Sequence, residues 1–104
     1  MIEWGRVTGF DRDESNARKS ADKHGVSHAE AERVFFDEAL LVLLDPRHSR
    51  HEARYHALGS TDEGRLIHVT FTVRDAGTLI RIISARDMHR KEKSVYEQAK
   101  EDRT

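Results

Sequence analysis

The segment Leu66–Val73 alternates without interruption: Ile67, Val69, Phe71 and Val73 fall on one side of an extended chain, His68, Thr70 and Thr72 on the other. A period of two sustained this long predicts a half-buried strand, and it obliges the chain to build a sheet with one apolar and one polar face. Two neighbouring segments extend that sheet. In Arg54–Leu58, Arg54 and His56 share a face opposite Tyr55 and Ala57, and in Thr78–Ala85, Arg81 alternates with Ile80 and Ile82. The connectors Gly59–Gly64 and Asp75–Gly77 are turn-like, so antiparallel hairpins are the simplest pairing. One side of the sheet then presents Arg54, His56, His68, Thr70 and Arg81 together, an open face suited to a polyanion. The last strand is apolar on both sides, so alternation defines its register least.

The remaining segments cover this sheet. Met1–Phe10, with Trp4, reads as an extended segment or edge strand, and Asp11–His24 as a weakly amphipathic helix stopped by Gly25. Ser27-His28-Ala29-Glu30 fits a capping box, Ser27 as N-cap and Glu30 reaching back, with Val26 and Ala31 in the staple positions. The helix it opens buries Ala31, Val34 and Phe35 and ends near Glu38. Leu40–Leu44 is a short apolar strand closed by Asp45-Pro46, and a His-rich loop, Arg47–Glu52, follows. Asp87 caps a last helix through about Glu101, with Met88, Val95 and Ala99 inward. The expected class is α+β: a small antiparallel sheet of about four to five strands, two N-terminal helices and one C-terminal helix.

Residues 1–104 suit a single domain with one modest core, residues 1–9 forming its N-terminal extension or edge strand. With 18 Lys and Arg against 19 Asp and Glu the net charge is −1, so any nucleic-acid binding must come from a local cationic patch and not from bulk charge. The absence of cysteine removes disulfides and thiolate metal sites, and is compatible with the cytoplasm. The longest apolar run, Ala39–Leu44, is far too short to span a bilayer, and the N-terminus lacks the pattern of a signal peptide.

Several polar groups invite two readings. Lys23 and His24 sit where cations complement a helix dipole, and on spacing alone that structural role accounts for them. His48, His51 and His56 with nearby carboxylates raise zinc or nickel, but their spacing matches no helical pair, and a solvated loop accounts for them. Arg81, in an otherwise apolar strand, needs an acidic partner such as Glu52 or Glu92, or else serves as a phosphate clamp. Arg86, Arg90, Lys91 and Lys93 are interleaved with Asp87, Glu92 and Glu97, the pattern of a salt-bridged solvated face. No P-loop, dinucleotide fingerprint, nucleophile elbow or zincin motif is present.

The order and spacing of several segments resemble the BrnT-type toxin family: Lys23-His24-Gly25-Val26-Ser27, then Ala31 with Val34-Phe35 and Asp37, then Asp45-Pro46 before His48. Glu52-Ala53-Arg54-Tyr55 leading to Leu58-Gly59, Gly64-Arg65-Leu66, Ile80-Arg81-Ile82-Ile83-Ser84-Ala85-Arg86, and Arg90, Glu92 and Tyr96-Glu97 complete the resemblance over about residues 10 to 98. It departs at Phe10-Asp11-Arg12-Asp13, where the family usually carries a tryptophan; a Glu3-Trp4 pair stands earlier. The resemblance implies a RelE-like fold and a ribonuclease toxin of a type II toxin–antitoxin system that inhibits translation in the cytoplasm. It also implies a BrnA-type ribbon-helix-helix antitoxin, two toxins bridged by an antitoxin dimer, and operator DNA reached only through that antitoxin. Cofactors and metals are not expected, nor is a membrane partner. Cleavage through the 2′-OH needs a base, an acid and cations on the phosphorane. The candidates are His24 or His48 as acid or base, Lys23, Arg54 and Arg81 as phosphate clamps, and Glu52 as base or orienting group. His56, His68 and Tyr96 are expected on the RNA, Tyr96 stacking on a base or donating a proton, and Arg86 either anchors the last helix or joins them by touching the RNA backbone. The alternative is an inactive module that binds antitoxin or RNA without turnover.

Overall fold

The computed structural model describes residues 2–12 and 23–102. Within them the chain forms strands β1 (Gly9–Phe10), β2 (Leu41–Asp45), β3 (Arg54–Ser60), β4 (Leu66–Arg74) and β5 (Leu79–Asp87), with helix α1 (His28–Arg33) before β2 and helix α2 (Arg90–Asp102) after β5. The sheet order is β1-β5-β4-β3-β2. β2 to β5 are antiparallel neighbours, but β1 runs parallel to β5. The sheet is therefore mixed and not purely antiparallel: the N-terminal segment adds a short parallel strand at the β5 edge. The expected helix Asp11–His24 lies mostly outside the described residues; Lys23 and His24 are helical, and Gly25 follows at φ +69°. Among the described residues no helix is long and apolar enough to cross a membrane.

The alternation in β4 does what it must. Ile67, Val69 and Phe71 are fully buried beneath α1, where Val26, Ala31 and Val34 meet Ala57, Ile80, Ile82 and Ala85. Phe71 gathers an aromatic cluster: Phe35 packs edge-on at 5.0 Å, Tyr55 stacks at 5.4 Å, and Trp4 approaches at 6.4 Å from a short 3-10 turn in the N-terminal segment. Gly59 lets α1 come this close, since a Cβ there would lie 2.9 Å from the Val34 Cβ.

Helix α1 is shorter than expected. It gives way at Val34 to a 3-10 turn ending at Phe36, after which Asp37 is extended. Ser27 caps it by accepting from the Glu30 N–H at 3.1 Å, but Glu30 does not reach back; its carboxylate takes Arg65 at 2.9 Å. Nor does Asp87 cap α2, since Arg65 also engages it, at 2.8 Å. Glu92 takes the role by accepting from the His89 N–H at 2.8 Å. On α2 the inward residue is Tyr96 and not Val95, which is exposed.

Candidate active site

The register builds the polar face in three rungs. Asp45, Arg54, Thr72 and Arg81 are cross-strand partners; so are Leu43, His56, Thr70 and Ser84; so are Leu41, Leu58, His68 and Arg86. Arg81 and Arg86 are an odd number of positions apart, and simple alternation would split them between faces. A bulge at Ile83, between the rung of Thr70 and Ser84 and that of Phe71 and Ile82, brings both to the polar side.

The first two rungs end in a hub. Asp45 is only 9% exposed and uses each of its oxygens. Oδ1 accepts the backbone N–H groups of Arg47 (3.1 Å) and His48 (3.3 Å), closing the 3-10 turn Pro46–His48. Oδ2 meets His48 Nδ1 at 2.8 Å and His56 Nε2 at 2.9 Å. The Asp45 carbonyl accepts the Ser49 hydroxyl, which itself accepts the Arg54 N–H at 3.0 Å. Burial works against the Asp45 charge, but the hydrogen bonds and positive charge of His48 and His56 outweigh it and hold the carboxyl below its ordinary range. The other nitrogen of His56, Nδ1, lies 3.1 Å from the Thr70 hydroxyl.

Beyond the hub a pocket of about 500 Å³ is lined by Arg47, His48, Arg50, His51, Glu52 and Arg54. Glu52, though on the pocket's lining, is paired with Arg74 at 3.1 Å and not with a pocket arginine. Among the described residues the guanidiniums of Arg47, Arg50 and Arg54 have no ion-pair partner. Three guanidiniums without an ion-pair partner and a histidine with an open ring nitrogen thus line one pocket, groups whose chemistry suits an anion.

The third rung is closed. Arg86 grips Glu92 through two bonds, 2.7 and 2.9 Å, and the guanidinium also donates to the Asp87 carbonyl. Arg86 thus anchors α2 and is not offered to RNA. His68 is 8% exposed, its ring 4.8 Å from that of His56, and burial, reinforced by Arg86, pushes it down to about 4. It is neutral near pH 7 and largely buried. Tyr96, expected to stack on a base, is 2% exposed; its ring packs with Leu58 and Met88 and its hydroxyl donates to Asp37 at 2.5 Å. Arg81 on the first rung pairs with Asp11 at 3.4 Å, and not with Glu52 or Glu92.

Of the expected site residues, the structure thus joins His48, His56 and Arg54 around Asp45, covers His68 and Arg86 with α2, turns Tyr96 inward on that helix, and engages Glu52 and Arg81 elsewhere. Lys23 is exposed and His24 half-buried, and among the described residues no contact ties either to the hub. Asp45, Arg47 and Arg50 are not expected from the sequence as members of an RNA site, and His51 is weighed there only as a metal ligand. The signal for Asp45 was its Asp-Pro position ahead of a His, which marks an Asx-type turn.

No curated protein matches the chain in sequence. The family described as "Ribonuclease toxin, BrnT, of type II toxin-antitoxin system" matches residues 13–92. Among solved structures, the 1.1 Å crystal structure of the Brucella abortus ribonuclease toxin BrnT matches with a TM-score of 0.62 at 20% identity, covering 81% of this chain and 100% of that one. At that identity the likeness speaks for the fold.

Proposed function

The chain belongs to the BrnT family of ribonuclease toxins of type II toxin–antitoxin systems, and from that premise we propose that it cleaves RNA at the pocket between Arg47 and Arg54. The observation that carries this reading is the set of free guanidiniums beside His48, whose second ring nitrogen has no protein partner among the described residues. His48 takes the proton of the 2′-OH, whose oxygen attacks the adjacent phosphorus. The bond to the 5′-oxygen breaks, and His51, the second imidazole on the pocket, returns a proton to it. The products are a 2′,3′-cyclic phosphate and a 5′-hydroxyl. Arg54 holds the phosphorane charge, with Arg47 and Arg50 on flanking phosphates. Each proton transfer supplies about 10²–10⁴-fold, and the preorganised cations stabilise charge as it develops. No step calls for a metal. Lys23, His24 and Arg81 are the next groups to test if the pocket fails.

We infer further that the fold groups with the RelE toxins and that the antitoxin is of the BrnA, ribbon-helix-helix type. Two toxins then flank one antitoxin dimer, operator DNA is met only through it, and the toxin acts in the cytoplasm, where its RNA is. The mass of a co-purified complex, by light scattering, checks the stoichiometry.

The decisive experiment is cleavage of an end-labelled single-stranded RNA in EDTA. Wild type is expected to cut and to leave cyclic-phosphate ends, while the same strand with a 2′-deoxy residue at the cut stays intact. His48→Ala and Arg54→Ala each lose activity. Undiminished cutting by both variants would move the site elsewhere, and a folded wild type that cuts nothing would support the antitoxin-binding module.

A further inference from the structure

A carboxylate can only accept hydrogen bonds, and Asp45 Oδ2 stands within bonding distance of two imidazoles at once, His48 Nδ1 at 2.8 Å and His56 Nε2 at 2.9 Å. Both of those nitrogens must therefore carry their protons. For a neutral ring this dictates where the lone pair lies. His56 turns its lone pair, on Nδ1, to the Thr70 hydroxyl at 3.1 Å, and both of its nitrogens are occupied. His48 has its lone pair on Nε2, on a side chain that is 63% exposed and lines the pocket. The two histidines face one carboxylate but differ in function: one is a buttress and the other has a free base.

We propose that Asp45 is the positioning residue of this site, fixing His48 as the Nδ1–H tautomer and leaving its unprotonated Nε2 open at the pocket to accept the proton of the RNA 2′-OH. This rests on the reading that RNA is cleaved there. The geometry around Asp45 supports more than tautomer choice. Its Oδ1 holds the His48 backbone N–H and its carbonyl holds Ser49, so backbone and ring of His48 are fixed from one residue. An imidazole with one nitrogen clamped by a carboxylate and the other facing solvent is the arrangement in which an Asp orients a general base.

Asp45→Asn separates this role from folding. The asparagine oxygen keeps the turn to Arg47 and His48, while its NH₂ group donates to both rings. His48 must then accept at Nδ1 and carry its proton on Nε2, where a base needs the lone pair. The rings still have partners and the strand still ends in its turn, but the tautomer is inverted.

Two measurements test the proposal. The first is a long-range ¹⁵N–¹H spectrum of the histidines, recorded at about pH 8 where imidazoles are neutral. In wild type His48 is expected with its proton on Nδ1, and in Asp45→Asn with it on Nε2. A wild-type His48 protonated on Nε2, or an Asp45→Asn spectrum unchanged for that ring, overturns the proposal, and this readout needs no RNA. The second is the kinetics of RNA cleavage. Asp45→Asn is expected to lower kcat by about 10²–10⁴-fold with KM nearly unchanged, and the double variant with His48→Ala should be no worse than either single one. Full kcat in Asp45→Asn alongside a dead His48→Ala overturns the positioning role and leaves the cleavage reading standing. Full activity in His48→Ala overturns that reading, and with it the base that Asp45 is said to position.

Discussion

The polar face of this sheet has two ends that look alike in sequence and behave as opposites. At the closed end, Arg86 and His68 lie under α2 and face its Glu92; the one guanidinium is matched by the one carboxylate, and the imidazole is driven neutral. At the open end, Arg54, His48 and His56 meet one carboxylate shared by two rings, and the guanidinium is left over. Both ends alternate Arg, His and Thr with apolar residues. The difference is the cover. A helix laid over charges forces them to neutralise one another, since an unpaired buried charge is costly, whereas an edge without a helix leaves cations in water and ready for a phosphate.

The sharpest way to break this contrast is to remove one group from each end. His48→Ala, or Arg54→Ala, should reduce RNA cleavage by about 10²–10⁴-fold while the urea midpoint hardly moves; a large stability loss would show that the open end is structural after all. Arg54→Lys should recover little if the guanidinium fork is what grips the phosphate. The closed end should answer the other way. Tyr96→Ala removes a buried ring and its bond to Asp37, and should cost about 3–5 kcal/mol in equilibrium unfolding with activity per folded molecule retained.

Glu92→Gln is a gentler cut through the same end, weakening the grip on Arg86 and the start of α2. About 1.5–3 kcal/mol is expected, again with cleavage intact; a fall in kcat would mean that the two ends are coupled. Acid reads the same closed end by titration. His68 in the folded protein binds its proton only near 4, against 6.5 for the ordinary group. The unfolded chain therefore holds more protons in that window, so stability is full above about 6.5 and declines as pH falls toward 4. The two bonds from Arg86 hold Glu92 at about 2 instead of 4.5, so its contribution is present above 4.5 and drains below it. Urea midpoints against pH should show both steps, and His68→Gln should flatten the upper one alone.

Much of the fold was readable because it is written in local periods. The alternation of Ile67 to Val73 named the core face, Ser27 marked the start of α1, and Gly25 stood where the backbone turns left-handed. Errors came where one local signal competed with a distant partner. Glu30 and Asp87 looked like helix caps, but both carboxylates face Arg65, which reaches them from the start of β4. The parallel pairing of β1 was hidden because two residues, Gly9 and Phe10, carry no period at all. For the site, alternation correctly placed Arg54, His56, His68 and Arg81 on one face, but nothing in the spacing showed which of them α2 would cover.

By itself, then, the sequence determined a two-faced sheet, the helix opened by Ser27 and the C-terminal helix, and a polar face rich in Arg and His, because side-chain period and capping chemistry act over a few residues. Tertiary structure decided the rest. It set the bulge at Ile83 that returns Arg86 to the face of Arg81, the seating of Tyr96 on Leu58, and the meeting of Asp45 with His56 across β2 and β3. Each of these depends on which strands become neighbours and in what register, and that is settled by burial of the whole core and not by any one segment.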